Sequence, residues 1–137
     1  MIPLTNAGIK KILQETKTIA IVGASDKPER DSYKIMLFLL DHGYTVIPVN
    51  PAYNEILGKK CYPNLRAIPE SIDVVDIFRK SEDVLPVIQD AVDIKAKTVW
   101  MQLGVVNEQA AQLAQQAGLN VIMDHCIKIE YQSNMLK

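Results

Sequence analysis

The sequence predicts an α/β protein in which a parallel sheet of five strands is doubly wound and covered by helices on both faces. Five short runs of consecutive apolar and β-branched residues are typical of strands buried on both sides. The runs occupy residues 18–23, 44–49, 73–78, 98–102 and 120–123. Amphipathic stretches alternate with these runs, and right-handed crossovers then favour a Rossmann-like sheet in the order 3-2-1-4-5.

Three helices are predicted between the strands, from apolar periodicity and from the residues that begin and end helices. They cover residues 32–42, 81–96 and 107–117. Pro86 lies early in the second helix, where it predicts a bend. An opening helix over residues 5–16 is expected to pack on the sheet or on another subunit. Residues 56–69 are predicted to form one long irregular connection, with a helical turn at 64–67.

The composition fits one globular domain over residues 1–137, with 48% hydrophobic and 23% charged residues. The formal net charge of -1 gives no overall positive field that would attract a nucleic acid or an anionic membrane. The longest apolar run, residues 35–40, is too short to cross a bilayer, and the start of the chain shows no secretory leader. Cys61 and Cys126 form no C-x-x-C motif, which favours a cytoplasmic location and argues against a disulfide scaffold or a zinc site.

A loop of small residues follows the first strand. Gly23 allows a sharp exit from the strand, and Ala24 and Ser25 let the backbone come close to a ligand. The next helix begins near residue 32, so exposed N–H groups and the positive end of a helix dipole are expected beside this loop. Both features suit a phosphate group. The alternative is that Gly23 only makes a turn.

The second strand does not complete a dinucleotide fingerprint, which needs three glycines and an acidic residue where that strand ends. Gly23 stands alone, and the second strand runs into Asn50 and Pro51. Asn50 can contact a ribose or a base, or it can form an Asx turn before Pro51. A nicotinamide cofactor is therefore disfavoured.

The third and fourth strands bring further residues to the same edge of the sheet. Phe78 and Arg79 can stack beside a base and pair with a phosphate; alternatively, Phe78 fills the core and Arg79 is solvated. Gln102 and Gly104 follow the fourth strand. Arg30 in the glycine loop and Lys34 in the first turn of the next helix join Arg79, and together these cations would offset the charge of a polyphosphate.

No catalytic constellation is evident in the sequence. His42 and His125 have no serine, cysteine or paired-carboxylate partners at a suitable spacing. Asp124, His125 and Cys126 are adjacent, and on an extended chain their side chains cannot converge on a metal ion. Cys126 is interpreted as a small buried hydrophobe.

Taken together, these stretches resemble the small stand-alone coenzyme A-binding proteins, whose domain also begins the succinyl-CoA synthetase alpha subunit. The matching stretches are 21–25, 43–51, 77–79, 99–104 and 124–130, within a likeness that spans about residues 17–131. The resemblance implies coenzyme A (CoA) or an acyl-CoA as the ligand. It implies that Gly23, Ala24 and Ser25 hold the diphosphate and that Asn50 and Pro51 border the nucleotide. The remaining cleft is then lined by Phe78, Arg79, Gln102 and Gly104. Arg30 is our candidate for the extra phosphate on the ribose.

Two departures from the family bear on function. His125 stands where the family usually has an arginine, which puts a salt bridge or phosphate contact there in question. The second domain of the larger synthetases, with its phosphorylated histidine, has no counterpart in this sequence, so an acyl-CoA ligase acting alone is not expected.

The leading hypothesis is a cytoplasmic, non-catalytic protein that binds CoA or acyl-CoA as a carrier or sensor. The alternatives are the nucleotide-binding subunit of a split acyl-CoA synthetase, with a partner ligase subunit, or a small NAD(P)-dependent oxidoreductase. A homodimer is possible through the apolar face of the first helix. A weaker hypothesis has Cys126 forming a mixed disulfide with CoA.

Overall fold

The computed structural model describes residues 5–136 of the chain. Its helices and strands are, in chain order, α1 (Asn6–Glu15), β1 (Thr18–Val22), α2 (Asp31–Asp41), β2 (Thr45–Val49), β3 (Glu55–Ile56), β4 (Lys59–Lys60), β5 (Val74–Ile77), α3 (Val84–Asp93), β6 (Thr98–Met101), α4 (Glu108–Gln116), β7 (Asn120–Ile122) and α5 (Ile127–Met135). Five strands form one parallel sheet in the order β2-β1-β5-β6-β7, and β3 pairs with β4 in a small antiparallel hairpin.

The predicted fold class is confirmed, but the predicted strand order is wrong. In the counting used for the sequence, the order is 2-1-3-4-5, so the second strand lies at the edge and the third beside the first. Pro48 explains the edge position. It pairs with Ile21 of β1 on one side, and on the other side its carbonyl oxygen accepts from the Tyr62 N–H at 3.1 Å. Because proline has no N–H for a second strand on that side, β2 fits only at the edge.

The connection between β2 and β5 contains no α-helix. It contains the unpredicted β3–β4 hairpin and a short 3₁₀ helix, Leu65–Ala67, which confirms the predicted helical turn and is capped by the Asn64 side chain. At its end, the Asp73 carboxylate accepts from the backbone N–H groups of Lys17 and Thr18 at 2.9 and 3.0 Å. These bonds fix the start of β5 beside the start of β1. The topological switch point therefore lies between β1 and β5, and not between the first and fourth strands as predicted.

The four predicted helices are confirmed, with small differences at their ends. Thr5 caps α1 and Asn107 caps α4 through their side chains. The helix predicted from residue 81 begins as a 3₁₀ turn, Ser81–Asp83, and continues as α3 through Pro86 without a break. Helix α5 was not predicted.

Two hydrophobic layers cover the sheet. Buried residues of α3 and α4 pack on one face, and those of α1, α2 and α5 pack on the other, where Trp100 is completely buried. The apolar face of α1 packs inside this second layer and against α5, so it does not offer the surface that was expected for another subunit. None of the helices within residues 5–136 is both long and apolar enough to span a lipid bilayer.

Candidate functional site

The loop after β1 passes against the end of β5 at the switch point. Gly23 has a φ of +87°, and a Cβ atom on it would lie 2.1 Å from the carbonyl oxygen of Phe78. Both the backbone conformation and the close approach require glycine here. The turn that the sequence predicts at Gly23 is therefore present, and it holds the loop in contact with Phe78.

The N–H groups of this loop divide into two sets. Gly23 and Ala24 donate to the carbonyl oxygen of Val49, at 3.0 and 3.3 Å, so their N–H groups are engaged within the chain. The N–H groups of Ser25 and Asp26 make no hydrogen bond with any residue in the described range. The Ser25 hydroxyl oxygen accepts from the Lys27 N–H at 3.1 Å and keeps its own proton for another acceptor. Donors for a ligand therefore begin at Ser25, while Gly23 and Ala24 supply the close approach.

Asn50 fastens the glycine loop to the end of β2. Its amide nitrogen donates to the Ala24 carbonyl oxygen at 2.8 Å, and its amide oxygen accepts from the Ala52 N–H at 2.9 Å. The second bond is the Asx turn that the sequence left open as an alternative. Asn50 therefore shapes the site through these two bonds, and it also lines the cleft in front of the loop.

That cleft, the glycine-loop cleft, has a volume of about 450 Å³. Its charged residues are Lys27, Arg30, Glu29 and Asp31, so cations and acids are balanced there. Helix α2 begins at this cleft, and no side chain of residues 5–136 caps its N-terminus, so N–H groups of the first turn are left without a side-chain partner. Tyr53 adds an aromatic ring to the wall.

A second cleft, the apolar cleft, adjoins the first and has a volume of about 690 Å³. Asp31 and Phe78 line both clefts, so the two are neighbours. The remaining lining residues are Lys34, Ile35, Arg79, Gln102, Leu103, Val105, Cys126, Lys128, Ile129 and Gln132. Three cations face one acid across an otherwise apolar surface, so this cleft suits a largely apolar ligand that carries negative charge.

Gln102 lies at the floor of the apolar cleft with only 4% of its surface exposed. Its amide oxygen accepts from the N–H of Ile127, the first residue of α5, at 3.1 Å. Its amide nitrogen forms no hydrogen bond within the described part of the chain. The side chain therefore both positions α5 and keeps a donor beside the cleft.

Two of the predicted site residues lie apart from these clefts. Pro51 lines a third cleft, of about 410 Å³, on the α3 side of the sheet edge, together with Arg79. Gly104 lines none of the three clefts, and its N–H donates to the Asp124 carboxylate at 2.7 Å. Its positive φ and this bond give Gly104 a role in the turn after β6.

The residues of α5 were missed because their pattern is weak: only Ile127 is buried in that helix. Yet Lys128, Ile129 and Gln132 complete the wall of the apolar cleft, and Cys126 precedes them as a half-buried free thiol. The three adjacent residues of the tail point to different partners, as the sequence predicts. Asp124 accepts from Gly104, the His125 ring lies 3.7 Å from the Glu130 carboxylate, and Cys126 lines the cleft.

One buried carboxyl group lies in the sheet below the site. Asp76, in the central strand β5, is fully buried between Ile21 and Trp100 of the neighbouring strands, and neither of its oxygens has a hydrogen-bond partner among residues 5–136. Burial raises the pKa of Asp76 well above its ordinary value of 3.8, so the side chain is held in its neutral form.

No group of three or more His, Cys, Asp or Glu side chains within residues 5–136 lies together in a way that could hold a metal ion. His42, the other histidine, stacks on Phe38 with 4.0 Å between ring centroids, and both rings contact Tyr131 of α5. Neither histidine lines the glycine-loop cleft or the apolar cleft.

The fold and the cleft at its switch point place the protein in the class of Rossmann-like α/β domains that open a ligand cleft at the carboxyl ends of their strands. Within that class, the chain belongs to the CoA binding domain family, which matches residues 17–132. The resemblance read from the sequence is thereby confirmed.

Proteins of similar length and parts of larger enzymes are both similar to this chain. The chain is 43% identical over 127 residues to the protein YneT of Bacillus subtilis (strain 168), covering 93% of this chain and 94% of that protein. A hypothetical protein from Pyrococcus horikoshii OT3, of known structure, is 43% identical, with a TM-score of 0.95 over 98% of this chain and 95% of that one. An ADP-forming acetate–CoA ligase of Archaeoglobus fulgidus is 29% identical over 121 residues, which are 81% of this chain and 18% of the ligase.

Proposed function

We propose that the protein binds CoA or an acyl-CoA across the two adjoining clefts and acts as a binding, carrier or sensor protein without catalysis of its own. The observation that carries the proposal is the junction at Phe78. There, a polar cleft with unengaged N–H donors meets an apolar cleft with cationic side chains. CoA has the same division, since a charged nucleotide diphosphate continues into a long and mostly apolar pantetheine arm.

The diphosphate fits the glycine-loop cleft. Free N–H groups at Ser25 and Asp26, the Ser25 hydroxyl and the uncapped start of α2 supply donors and positive potential for an anion. Arg30, exposed at the start of α2, is proposed for the extra ribose phosphate, since a guanidinium forms strong paired bonds with phosphate oxygens. Asn50 is proposed to border the nucleotide, whereas Pro51 is not proposed as a direct contact, because it lines the separate third cleft.

The pantetheine arm, or an acyl group on its sulfur, fits the apolar cleft. Phe78 and Ile129 provide apolar surface, and the unpartnered amide nitrogen of Gln102 is a donor for an amide carbonyl of the arm. Arg79 and Lys128 lie at the same cleft. Gly104 is not proposed as a direct contact, because its N–H is already bonded to Asp124.

The proposal of a non-catalytic role rests on the side chains around the clefts. The ionisable groups that line them are the balanced charges of the loop, the Tyr53 phenol, three further cations and the Cys126 thiol. General acid–base catalysis needs a proton-transferring group matched to its task and placed beside the reacting atoms, and no carboxylate or imidazole lines the apolar cleft except Asp31 at its shared border.

Isothermal titration calorimetry in the presence of a reductant tests the proposal. Wild-type protein is expected to bind CoA more tightly than dephospho-CoA, and both more tightly than NAD. Ser25→Glu is expected to abolish CoA binding, because the larger acidic side chain fills the cleft and repels the diphosphate. Ser71→Glu is the matched control, since Ser71 is exposed and lines neither cleft. NAD binding as tight as CoA binding, or full CoA affinity in Ser25→Glu, would contradict the proposal.

A second candidate is the nucleotide-binding subunit of a split acyl-CoA synthetase. It is favoured by the ligase relatives, of which this chain matches a part: 28% of the length of an acetate–CoA ligase alpha subunit from Pyrococcus furiosus, for example. A partner subunit would then supply the remaining machinery. Purification of tagged protein from its native lysate, followed by an assay for ATP- and CoA-dependent acyl transfer, tests this candidate. Activity in the co-purified fraction would support it, and CoA binding without any such activity would contradict it.

The third hypothesis is a small NAD(P)-dependent oxidoreductase. The calorimetric titration with NAD tests it, because such an enzyme is expected to bind NAD at least as tightly as CoA. A homodimer and a cytoplasmic location stay predictions of the sequence.

A further inference from the structure

Cys126 lines the apolar cleft, and we propose that it is the site at which the protein captures oxidised coenzyme as a mixed disulfide. The inference rests on the proposed function, because it requires the thiol end of the pantetheine arm to lie in the apolar cleft. It goes beyond that function by giving the site a response to the redox state of its ligand.

The position of Cys126 carries the first part of the argument. The free thiol is half-buried immediately before α5, and it shares the apolar cleft with Phe78, where the glycine-loop cleft begins. In CoA the diphosphate and the thiol are at opposite ends of the pantetheine arm. A ligand whose diphosphate rests on the loop at Ser25 and whose arm passes Phe78 therefore brings its sulfur into the cleft that Cys126 lines.

Gln102 is a second and independent indication that a polar ligand enters this cleft. Its side chain is 96% buried, since 4% of its surface is exposed, and its amide nitrogen has no partner among the residues described. Among the described residues the fully buried side-chain atoms without a partner belong to Asp76, so the Gln102 nitrogen is instead a donor at the open wall of the cleft, where a ligand can supply its acceptor. The same side chain accepts from the N–H of Ile127, the residue next to Cys126. The hydrogen bond between Gln102 and Ile127 therefore keeps the free Gln102 amide nitrogen close to the Cys126 segment.

The charges of the cleft suit the exchange reaction. The Cys126 thiolate attacks one sulfur of CoA disulfide, a bond forms between Cys126 and that CoA, and the bond between the two CoA sulfurs breaks. The departing CoA leaves as a thiolate and takes up a proton from solvent, and the proton lost from Cys126 goes to solvent. One disulfide replaces another, so no further oxidant is needed. Lys34, Arg79 and Lys128 line the same cleft and give it the positive charge that favours this anionic reaction.

The other cysteine provides an internal comparison. Cys61 is 5% exposed, lines none of the three clefts, and directs its thiol toward the carbonyl oxygen of Asn50 at 3.5 Å. Burial raises the pKa of Cys61, the larger effect, against the smaller opposing effect of that bond. Cys61 is therefore expected to stay unmodified.

Intact-mass spectrometry tests the proposal on wild-type protein, Cys126→Ala and Cys61→Ala after incubation with CoA disulfide. Wild type and Cys61→Ala are expected to gain one CoA less two hydrogen atoms, Cys126→Ala is expected to gain nothing, and a reductant should remove the adduct. Glutathione disulfide at equal concentration should react at least about tenfold more slowly, because it is not held beside the thiol. Peptide mapping of the wild-type adduct assigns the cysteine without relying on a variant.

An adduct on Cys61, or equal rates with the two disulfides, would overturn the proposal, since either result would mean that the cleft does not direct the reaction. Calorimetry of reduced wild-type protein with reduced CoA separates the two levels of inference. Binding of CoA without any adduct overturns the disulfide site alone, whereas neither binding nor adduct overturns the proposed function as well.

Discussion

The carbonyl oxygen of Phe78 lies 2.1 Å from the ideal position of a Cβ atom on residue 23, which is too close for any residue except glycine. The contact joins the end of β5 to the loop after β1, and the same two residues border the glycine-loop cleft. The shape of the cleft therefore depends on the absence of a single methyl group.

Gly23→Ala is expected to lower the free energy of unfolding by at least about 3 kcal/mol and to abolish CoA binding, because the methyl group must push the loop away from β5. Gly118→Ala is the matched control: Gly118 has a φ of +88° and nothing within 4 Å of its ideal Cβ position. Its cost is the backbone strain alone, about 1–2 kcal/mol. Denaturant unfolding and calorimetry measure both effects, and equal destabilisation by the two variants would show that the Phe78 contact is unimportant.

Arg30→Gln is expected to weaken CoA binding about tenfold and to leave dephospho-CoA binding unchanged, because the guanidinium is proposed to bond the phosphate that only CoA carries. Arg66→Gln removes the same charge from the exposed pair with Asp90 and Asp93, away from the glycine-loop cleft, and should alter neither affinity. Calorimetry with the two ligands is the measurement. A parallel loss for both ligands would reject the assignment of Arg30 to the ribose phosphate.

Asp73→Asn is expected to destabilise the protein at pH 7 by about 1.5–3 kcal/mol, since the carboxylate holds the N–H groups that join β5 to β1. Burial raises the pKa of Asp73, but the bonds from Lys17, Thr18 and Lys97 outweigh it and hold the pKa below 3.8. The stabilisation is therefore present above 3.8 and is lost as the pH falls through the lower folded-state value.

Denaturant unfolding of wild type and Asp73→Asn from pH 7 to pH 3 should show the two curves converging at the acidic end. Asp41→Asn, at the exposed end of α2, is the control and should change stability by less than about 0.5 kcal/mol. A difference between wild type and Asp73→Asn that stays constant with pH would mean that the carboxylate charge contributes nothing.

Asp76→Asn is expected to change the pH dependence of stability in the opposite sense. Because the folded-state pKa of Asp76 is raised, only the folded protein holds this proton above pH 3.8. As the pH rises from 3.8 to the folded-state pKa of Asp76, the free energy of unfolding of the wild type therefore falls relative to that of Asp76→Asn. The fall is up to about 1.4 kcal/mol per pH unit. Unfolding curves across this pH range provide the measurement. Parallel curves for the two proteins would show that Asp76 is charged, or solvated, in the folded state.

The sequence was sufficient for the strands and for the glycine turn, because both depend on local patterns. All five strands of the sheet fall within the predicted runs, and Gly23 was identified from its place after β1. The strand order was also accessible in principle. Pro48 within the second strand is a signal for an edge position, and the prediction of the common Rossmann order did not use it.

The rest of the site depends on contacts between residues distant in sequence. The N–H groups of Gly23 and Ala24 are engaged by Val49, and those of Gly104 and Ile127 by Asp124 and Gln102. No local pattern indicates these pairings, so the sequence could name the loop without identifying which donors remain. Helix α5 buries one residue and carries no amphipathic signal, which hid the wall of the apolar cleft.

A crystal structure of the protein grown with excess CoA tests the central claim most directly. The account predicts the CoA diphosphate within hydrogen-bond distance of the Ser25 and Asp26 N–H groups, with the pantetheine arm passing Phe78 into the apolar cleft. A complex in which the glycine loop contacts no phosphate, or in which the coenzyme occupies the cleft beside Pro51 instead, would contradict it.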